Sequence, residues 1–221
     1  MAVDADEGTN SRVVYKLNSS WIQFGAGPTC PGSPFHITAK PIDINCFSID
    51  SITGMISSKC TFDREQYASI SLKVVAQDQG FPPLSSTAEV TLQIEDENDN
   101  APRFSRSSYE FSIAENLPNS GTFLGKAEAY DCDDGTNGNI KYSIQSVKGF
   151  GKRETYMETT KSWKEVQSDQ FFSVRGQGDI YAVNVLDREQ YEVFEFYIVA
   201  SDDGAFPKSS SAIVRVQIID R

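Results

Sequence analysis

Three motifs occur twice in this chain, in the same order and at nearly the same spacing, so whatever fold it adopts is built twice. Asp63-Arg64-Glu65-Gln66-Tyr67 returns as Asp187-Arg188-Glu189-Gln190-Tyr191, an offset of 124 residues. At the same offset Ala76-Gln77-Asp78-Gln79-Gly80 returns as Ala200-Ser201-Asp202-Asp203-Gly204. Asp4-Ala5-Asp6-Glu7-Gly8-Thr9-Asn10 returns as Asp131-Cys132-Asp133-Asp134-Gly135-Thr136-Asn137, offset by 127. Matched motifs in one order mark a tandem repeat, and 221 residues accommodate two domains of ordinary size.

Between the motifs the apolar residues alternate with period two, the mark of half-buried strands. Ile70, Leu72, Val74 and Ala76 share one face, as do Phe194, Phe196, Ile198 and Ala200. Ala88, Val90, Leu92 and Ile94 are mirrored by Ala212, Val214, Val216 and Ile218. Turn formers, Gly80-Phe81-Pro82-Pro83 and Gly204-Ala205-Phe206-Pro207, separate these runs. The spacing predicts an all-β antiparallel sandwich of about 100 residues per copy. No stretch sustains a helical period.

The copies differ in completeness. The second opens with a strand-like run, Ser108 to Ile113, then Ala114-Glu115-Asn116 and a second run around Gly125 to Tyr130. The first starts at Ala2-Val3, already at the entrance to its acidic loop. It is expected to lack its first strand and most of its second, exposing sheet edges and part of a core. Each copy also carries an insertion. Gly25 to Pro34 contains Cys30, and Lys148 to Ser168 holds Lys148, Lys152, Arg153, Lys161 and Lys164 with Tyr156 and Trp163. The second insertion reads as a solvated excursion between strands, with a contact surface as the alternative.

At the join between the copies lies Asp96-Glu97-Asn98-Asp99-Asn100-Ala101-Pro102, three acids and two amides in five positions. Burying so much unpaired charge in a core strand would cost many kcal/mol. Oxygen-only donors at this density suit Ca2+, which takes about six to eight oxygens. An EF-hand is excluded, because its glycine is sixth and its glutamate twelfth. Here Gly8 and Gly135 stand fifth from the first aspartate, with no glutamate in the twelfth place.

Other chemistries fit poorly. A net charge of −11 disfavours nucleic acid and anionic membrane faces. Nothing suggests a small-molecule substrate. The single histidine, His36, sits in a Phe35-His36-Ile37-Thr38 run and reads as a half-buried strand residue, not as a catalyst. Cys30, Cys46, Cys60 and Cys132 form no CxxC pair, so zinc is disfavoured. Three of them fall in the first half, permitting one disulfide there with one thiol left over, and the pairing is open. Cys132, between the acids of its motif, reads as a small residue or a partner-seeking thiol. Asn18-Ser19-Ser20 is a glycosylation sequon and favours an extracellular location.

Together these motifs resemble two consecutive cadherin repeats, over nearly the whole chain. The pattern is carried by Asp-Arg-Glu at 63–65 and 187–189, Asp-x-Asp-x-Gly-x-Asn at 4–10 and 131–137, Asp78 and Asp202, Ala-Glu-Asn at 114–116, and the run Asp96 to Pro102. The resemblance implies two tandem Greek-key, immunoglobulin-like sandwiches: residues 1–95, a linker at 96–102, a complete repeat at 103–219, and the start of a further linker at 220–221. It implies up to three Ca2+ in the central linker. Asp63, Glu65, Asp96, Asn98 and Asp99 would approach from one side and Asp131, Asp133 and Asp202 from the other, with main-chain carbonyls of Glu97, Asn100 and Asn137. Asp63 and Asp187 are read as ligands in preference to simple partners of a neighbouring arginine.

The family's glutamate equivalent to Glu115 is missing from the first copy, which implies weaker occupancy on that side. Asp4, Asp6, Asn10 and Asp78 would belong to a preceding linker; Glu115, Asp187, Glu189 and Asp220 would belong to a following one. The implied parent is a long non-classical cadherin of the protocadherin, Fat or Dachsous kind, a single-pass plasma-membrane protein with these repeats outside the cell. Neither Trp21 nor Trp163 is placed for the N-terminal tryptophan exchange of classical cadherins. The implied function is calcium-dependent cell–cell adhesion through other cadherin ectodomains, homophilic or heterophilic, on the same or an opposing cell. A mechanical spacer or tether is the alternative.

Overall fold

A computed structural model describes residues 12–28, 30, 40–117, 121–154 and 159–220. The chain divides into two compact units. Unit 1 comprises Met1–Thr29 with Phe35–Asp96, and unit 2 comprises Cys30–Pro34 with Glu97–Arg221. His36 and the motif Asp4, Asp6, Asn10 lie outside the described residues.

Unit 1 contains β1 (Val14–Ala26), a 3-10 turn at Ile44–Cys46, β2 (Phe47–Ile49), β3 (Ile56–Ser58), β4 (Tyr67–Gln77) and β5 (Ser85–Gln93). β1, β4 and β5 form an antiparallel sheet with β4 central, and β2 pairs with β3. The alternation along β4 does what period two requires: Ile70 and Leu72 are fully buried and pack with Phe47 and Tyr67. In β1 the register slips between Leu17 and Ile22, opposite Val74 and Leu72. Residues Asn18 to Trp21 therefore bulge outward against the single residue Lys73, whose ammonium lies 4.4 Å from the Trp21 ring centre. Asn18 of the sequon lies on this bulge and accepts a bond from the Ser20 N–H (3.0 Å).

Unit 2 contains β6 (Arg103–Phe104), β7 (Ser108–Ala114), β8 (Thr122–Lys126), β9 (Ala129–Tyr130), β10 (Lys141–Glu154), β11 (Thr159–Glu165), a single helical turn α1 (Ser168–Phe171), β12 (Phe172–Arg175), β13 (Asp179–Ala182), β14 (Val193–Ser201) and β15 (Ser209–Ile219). One sheet runs β11-β10-β14-β15-β7, a second runs β12-β13-β8, and β6 pairs with β9. All pairings are antiparallel except β7 with β15. The inner faces of β14 and β15 supply the centre of the core, with Phe194, Phe196, Ile198, Val214 and Val216 at or below 1% exposure. The fold is all-β, and no helix among the described residues is long and apolar enough to cross a membrane.

The equivalent strands of the two units differ on one edge. β15 is flanked by β14 and β7, and its Ala212 and Ile218 are buried. β5 pairs only with β4 among the described residues; its Ala88 is exposed, and Val90, Leu92 and the following Ile94 are half-buried. An unpaired edge leaves every second amide to solvent. Amide hydrogen exchange is therefore expected to be at least about tenfold faster along β5 than along β15. Equal protection of the two strands would show the β5 edge to be covered.

Two expectations are corrected. Lys148 to Ser168 is not a loop: most of it is the outer half of β10 and the whole of β11, paired from Lys148↔Glu165 to Glu154↔Thr159. Gly149 and Gly151 make this possible, because a Cβ at either would meet Tyr191 or the Gln190 carbonyl inside 2.5 Å. No thiol is left over. Cys46 is bonded to Cys60, and Cys132 is bonded to Cys30, which holds Cys30 with unit 2.

Candidate metal centre

The Asp-Arg-Glu turns share one backbone plan in the two units. Asp63 Oδ1 accepts the Glu65 N–H (2.9 Å) and the Gln66 N–H (3.2 Å), while the Gln66 amide donates to Oδ2 (2.6 Å). Asp187 Oδ1 accepts from Glu189 N–H (2.8 Å) and Gln190 N–H (3.3 Å). Each aspartate thus closes a turn that sets the glutamate two residues on. The intervening arginine reaches the aspartate that follows the unit's last strand: Arg64 lies 2.9 Å from Asp96, and also 3.4 Å from Glu65, and Arg188 lies 3.7 Å from Asp220.

In unit 2 the run after Asp96 is laced to two loops. Asn98 donates its amide to Asp202 Oδ1 (2.9 Å) and to the Phe206 carbonyl (3.2 Å). Asn100 donates its main-chain N–H (3.1 Å) and its amide (2.6 Å) to the two oxygens of Asp133, and the amide also to Asp99 (2.8 Å). The Asp133 N–H donates to Asp131 Oδ1 (3.1 Å). Asp131, Asp133 and Asp202, at 7%, 8% and 3% exposure, are therefore gathered with Asn98, Asp99 and Asn100 in one buried, oxygen-rich locus. The Glu97 carbonyl accepts the Asp99 N–H (2.8 Å), folding the run back on itself.

The electrostatic state of these carboxylates is uneven. Burial pushes Asp202 up, but N–H donation from Gly204 (2.9 Å) and Lys208 (2.8 Å), with the Asn98 amide, outweighs it and holds the group below its ordinary value. Asp131 goes the other way: burial raises it, and the Asp133 and Asp202 charges add to the rise against the Asp133 N–H. Its Oδ2 is buried without a hydrogen-bond partner, and so is Asn98 Oδ1. A buried carboxylate oxygen with no donor is costly unless a cation takes it.

One glycine and two further side chains also shape this locus. A Cβ at Gly204 would lie 2.3 Å from the Asn98 amide nitrogen and 2.8 Å from Asn137 Oδ1, so only glycine leaves room for both side chains. Lys208 donates its ammonium to the Asp99 carbonyl (2.7 Å), and the Ser210 hydroxyl donates to the Pro102 carbonyl. The recurrence of glycine two residues after Asp78 and Asp202 was the available hint. It is matched by the bond from Gly80 N–H to Asp78 Oδ1 (3.0 Å).

A second carboxylate cluster stands elsewhere in unit 2. Glu115, Asp187 and Glu189 bring ligand oxygens within 4.8 Å of one another. Arg188 N–H donation favours the Glu115 carboxylate, but burial and the neighbouring Asp220 and Glu189 prevail and raise it above its ordinary value. In unit 1, Asp78 accepts from Gly80 and Leu84 in the manner of Asp202.

These donor sets are oxygen-only and acid-rich, and the orphaned Asp131 oxygen is an open ligand position, so the residues fit Ca2+. Comparison with known proteins agrees with this chemistry. The cadherin domain model matches residues 1–95 and 109–219. The chain is 32% identical over 219 residues to human Protocadherin-1, covering 99% of this chain and 17% of that protein. It is 34% identical over 186 residues to mouse Protocadherin Fat 4, covering 84% of this chain and 3% of that protein. Among solved structures it superposes on the Protocadherin Gamma B2 extracellular cadherin domains 3-6 with a TM-score of 0.70 and 29% identity, over 99% of this chain and 43% of that one. The chain thus spans under a fifth of the length of these curated relatives. Repeated acidic turns, a sandwich in which β7 runs parallel to β15, and family matches over both halves lead to one conclusion: the chain belongs to the cadherin family, as extracellular repeats of the protocadherin type.

Proposed function

We propose that the chain is a stretch of adhesive ectodomain whose stiffness is set by calcium. Asp131, Asp133, Asp202, Asn98 and Asp99 hold the ions from unit 2, and Asp63, Glu65 and Asp96 hold them from unit 1, with up to three ions in the linker. The reading is carried by one observation, the buried Asp131 Oδ2 that no donor satisfies. Bound Ca2+ supplies the positive charge that seven acidic side chains require: Asp63, Glu65, Asp96, Asp99, Asp131, Asp133 and Asp202.

Without it, like charges repel by about 1 kcal/mol per pair at about 4 Å in water, and by more beside protein. The linker then behaves as a loose joint. Extracellular modules bind Ca2+ at about 10⁻⁴–10⁻³ M, so the joint is stiff outside the cell. The Glu115, Asp187, Glu189 and Asp220 group acts in the same way toward an adjoining repeat. The parent is a single-pass plasma-membrane protein, and its partners are other cadherin ectodomains, homophilic or heterophilic.

Small-angle scattering of this chain in calcium and in chelator tests the proposal. The expected result is a longer maximum dimension and a narrower distance distribution in calcium. Superimposable profiles would remove calcium-dependent stiffening from the account.

A further inference from the structure

The Cys30–Cys132 bond closes a covalent ring that calcium coordination does not require. It joins residues 102 apart in the chain, with their Cα atoms 4.7 Å from each other. The ring holds β2 to β9, the Cys46–Cys60 bond and the whole run Asp96 to Pro102. Asp131 is the last residue inside it, while Asp133 and Asp202 lie outside. The approach to Cys30 is short and anchored in unit 1. β1 ends at Ala26, and the next residue, Gly27, donates its N–H to the Gln66 carbonyl (3.1 Å). A Cβ at Gly27 would lie 2.2 Å from the Glu65 carbonyl oxygen, so only glycine lets the end of β1 pass this close to the Asp-Arg-Glu turn. Pro28 and Thr29 alone separate Gly27 from Cys30.

We infer that this bond is a load-bearing bypass: tension along the chain crosses from Cys30 to Cys132, sparing the acidic run and every strand of unit 1 except β1. Two covalent routes join these cysteines, one through the bond itself and one through the ring. The ring could stretch to roughly 350 Å before going taut, so the short route carries the load. Upstream of the bond, β1 has little length left to give. A strand already rises about 3.2–3.4 Å per residue, against a ceiling of about 3.3–3.6 Å. Its slack is confined to the register slip between Leu17 and Ile22. β4 and β5 hang on β1 through ladder hydrogen bonds, off the load path. The same bond keeps unit 1 covalently joined to unit 2 by a route that needs no calcium, and an extracellular setting keeps it oxidised.

Single-molecule stretching of the chain by handles at its two ends tests the inference. The double variant Cys30→Ser with Cys132→Ser is expected to reach a fully stretched length roughly 30 nm greater than wild type, because Cys46–Cys60 keeps its own 14-residue separation closed in both. That length does not depend on how well the variant folds. An unfolding step of roughly 20 nm from unit 1 is expected in the variant only, with hydrogen-exchange protection along β4 verifying that unit 1 is folded there. A second test leaves both cysteines in place. A protease recognition sequence is inserted after Asn100 and cut in chelator, and the products are denatured with free thiols blocked. The two fragments are expected to stay joined without reductant and to separate with it. Equal stretched lengths, a unit 1 step in wild type, or fragments that separate without reductant would each overturn the bypass. Neither test needs bound calcium, so both stand apart from the scattering comparison of calcium with chelator.

Discussion

Asp202→Ala is expected to destabilise unit 2 by about 3–5 kcal/mol, in chelator as well as in calcium. Three donors converge on this carboxylate, from Gly204 N–H, Lys208 N–H and the Asn98 amide, and the group is 3% exposed. Alanine leaves all three unsatisfied, at roughly 1–3 kcal/mol each before relaxation. Asp202→Asn keeps one acceptor but turns an amide N–H toward a donor, so an intermediate loss is expected. Because the chain has two units, unfolding must be read unit by unit. Trp163 fluorescence in a Trp21→Phe background reports on unit 2 during urea titration. An unchanged midpoint for Asp202→Ala in chelator would mean that water replaces the lost acceptor, leaving Asp202 with a ligand's role only.

That dual role explains which parts of the site were legible in the sequence. Asp202, Asp131 and Asp133 recur in a motif, and a motif survives without knowledge of the fold. Gly204 recurs as the counterpart of Gly80, so its place was marked although its clearance of Asn98 was not; Lys208 acts through donation to a carbonyl, which has no residue-type signature. The same divide runs through the fold. Phe194, Phe196 and Ile198 alternate strictly, and both faces of β14 follow from that pattern. The outer half of β10 carries Lys, Gly and Arg with no apolar stripe, so its pairing is set by backbone bonds and glycine clearance, which period-two patterning does not report. In unit 1 the alternation Ala88, Val90, Leu92 predicts burial like that of β15. It is only partly realised: Ala88 is exposed and Val90 and Leu92 are half-buried where β4 is the one partner of β5 among the described residues. Cysteine pairing was open for a similar reason: Cys30 and Cys132 are 102 residues apart, a separation that spacing cannot interpret.

Asp131→Asn is expected to change sign with calcium. In chelator the carboxylate is buried beside Asp133 and Asp202, with one oxygen unpartnered, and its raised proton affinity reflects that deficit. An amide of the same shape keeps the Asp133 N–H bond to Oδ1 and removes a buried negative charge beside two others. Repulsion is relieved, and unit 2 is expected to gain about 1–2 kcal/mol. In calcium the same substitution removes a negative oxygen from the ligand set, and affinity is expected to fall at least about tenfold, equivalent to about 1.4 kcal/mol. The wild-type and variant urea midpoints should therefore cross as calcium is raised, since a ligand stabilises the folded state by mass action. Asp202→Ala should show no such crossing, because its lost donors matter in both conditions. If Asp131→Asn destabilises unit 2 equally with and without calcium, Asp131 is a structural acceptor, and the orphaned oxygen no longer marks a cation position.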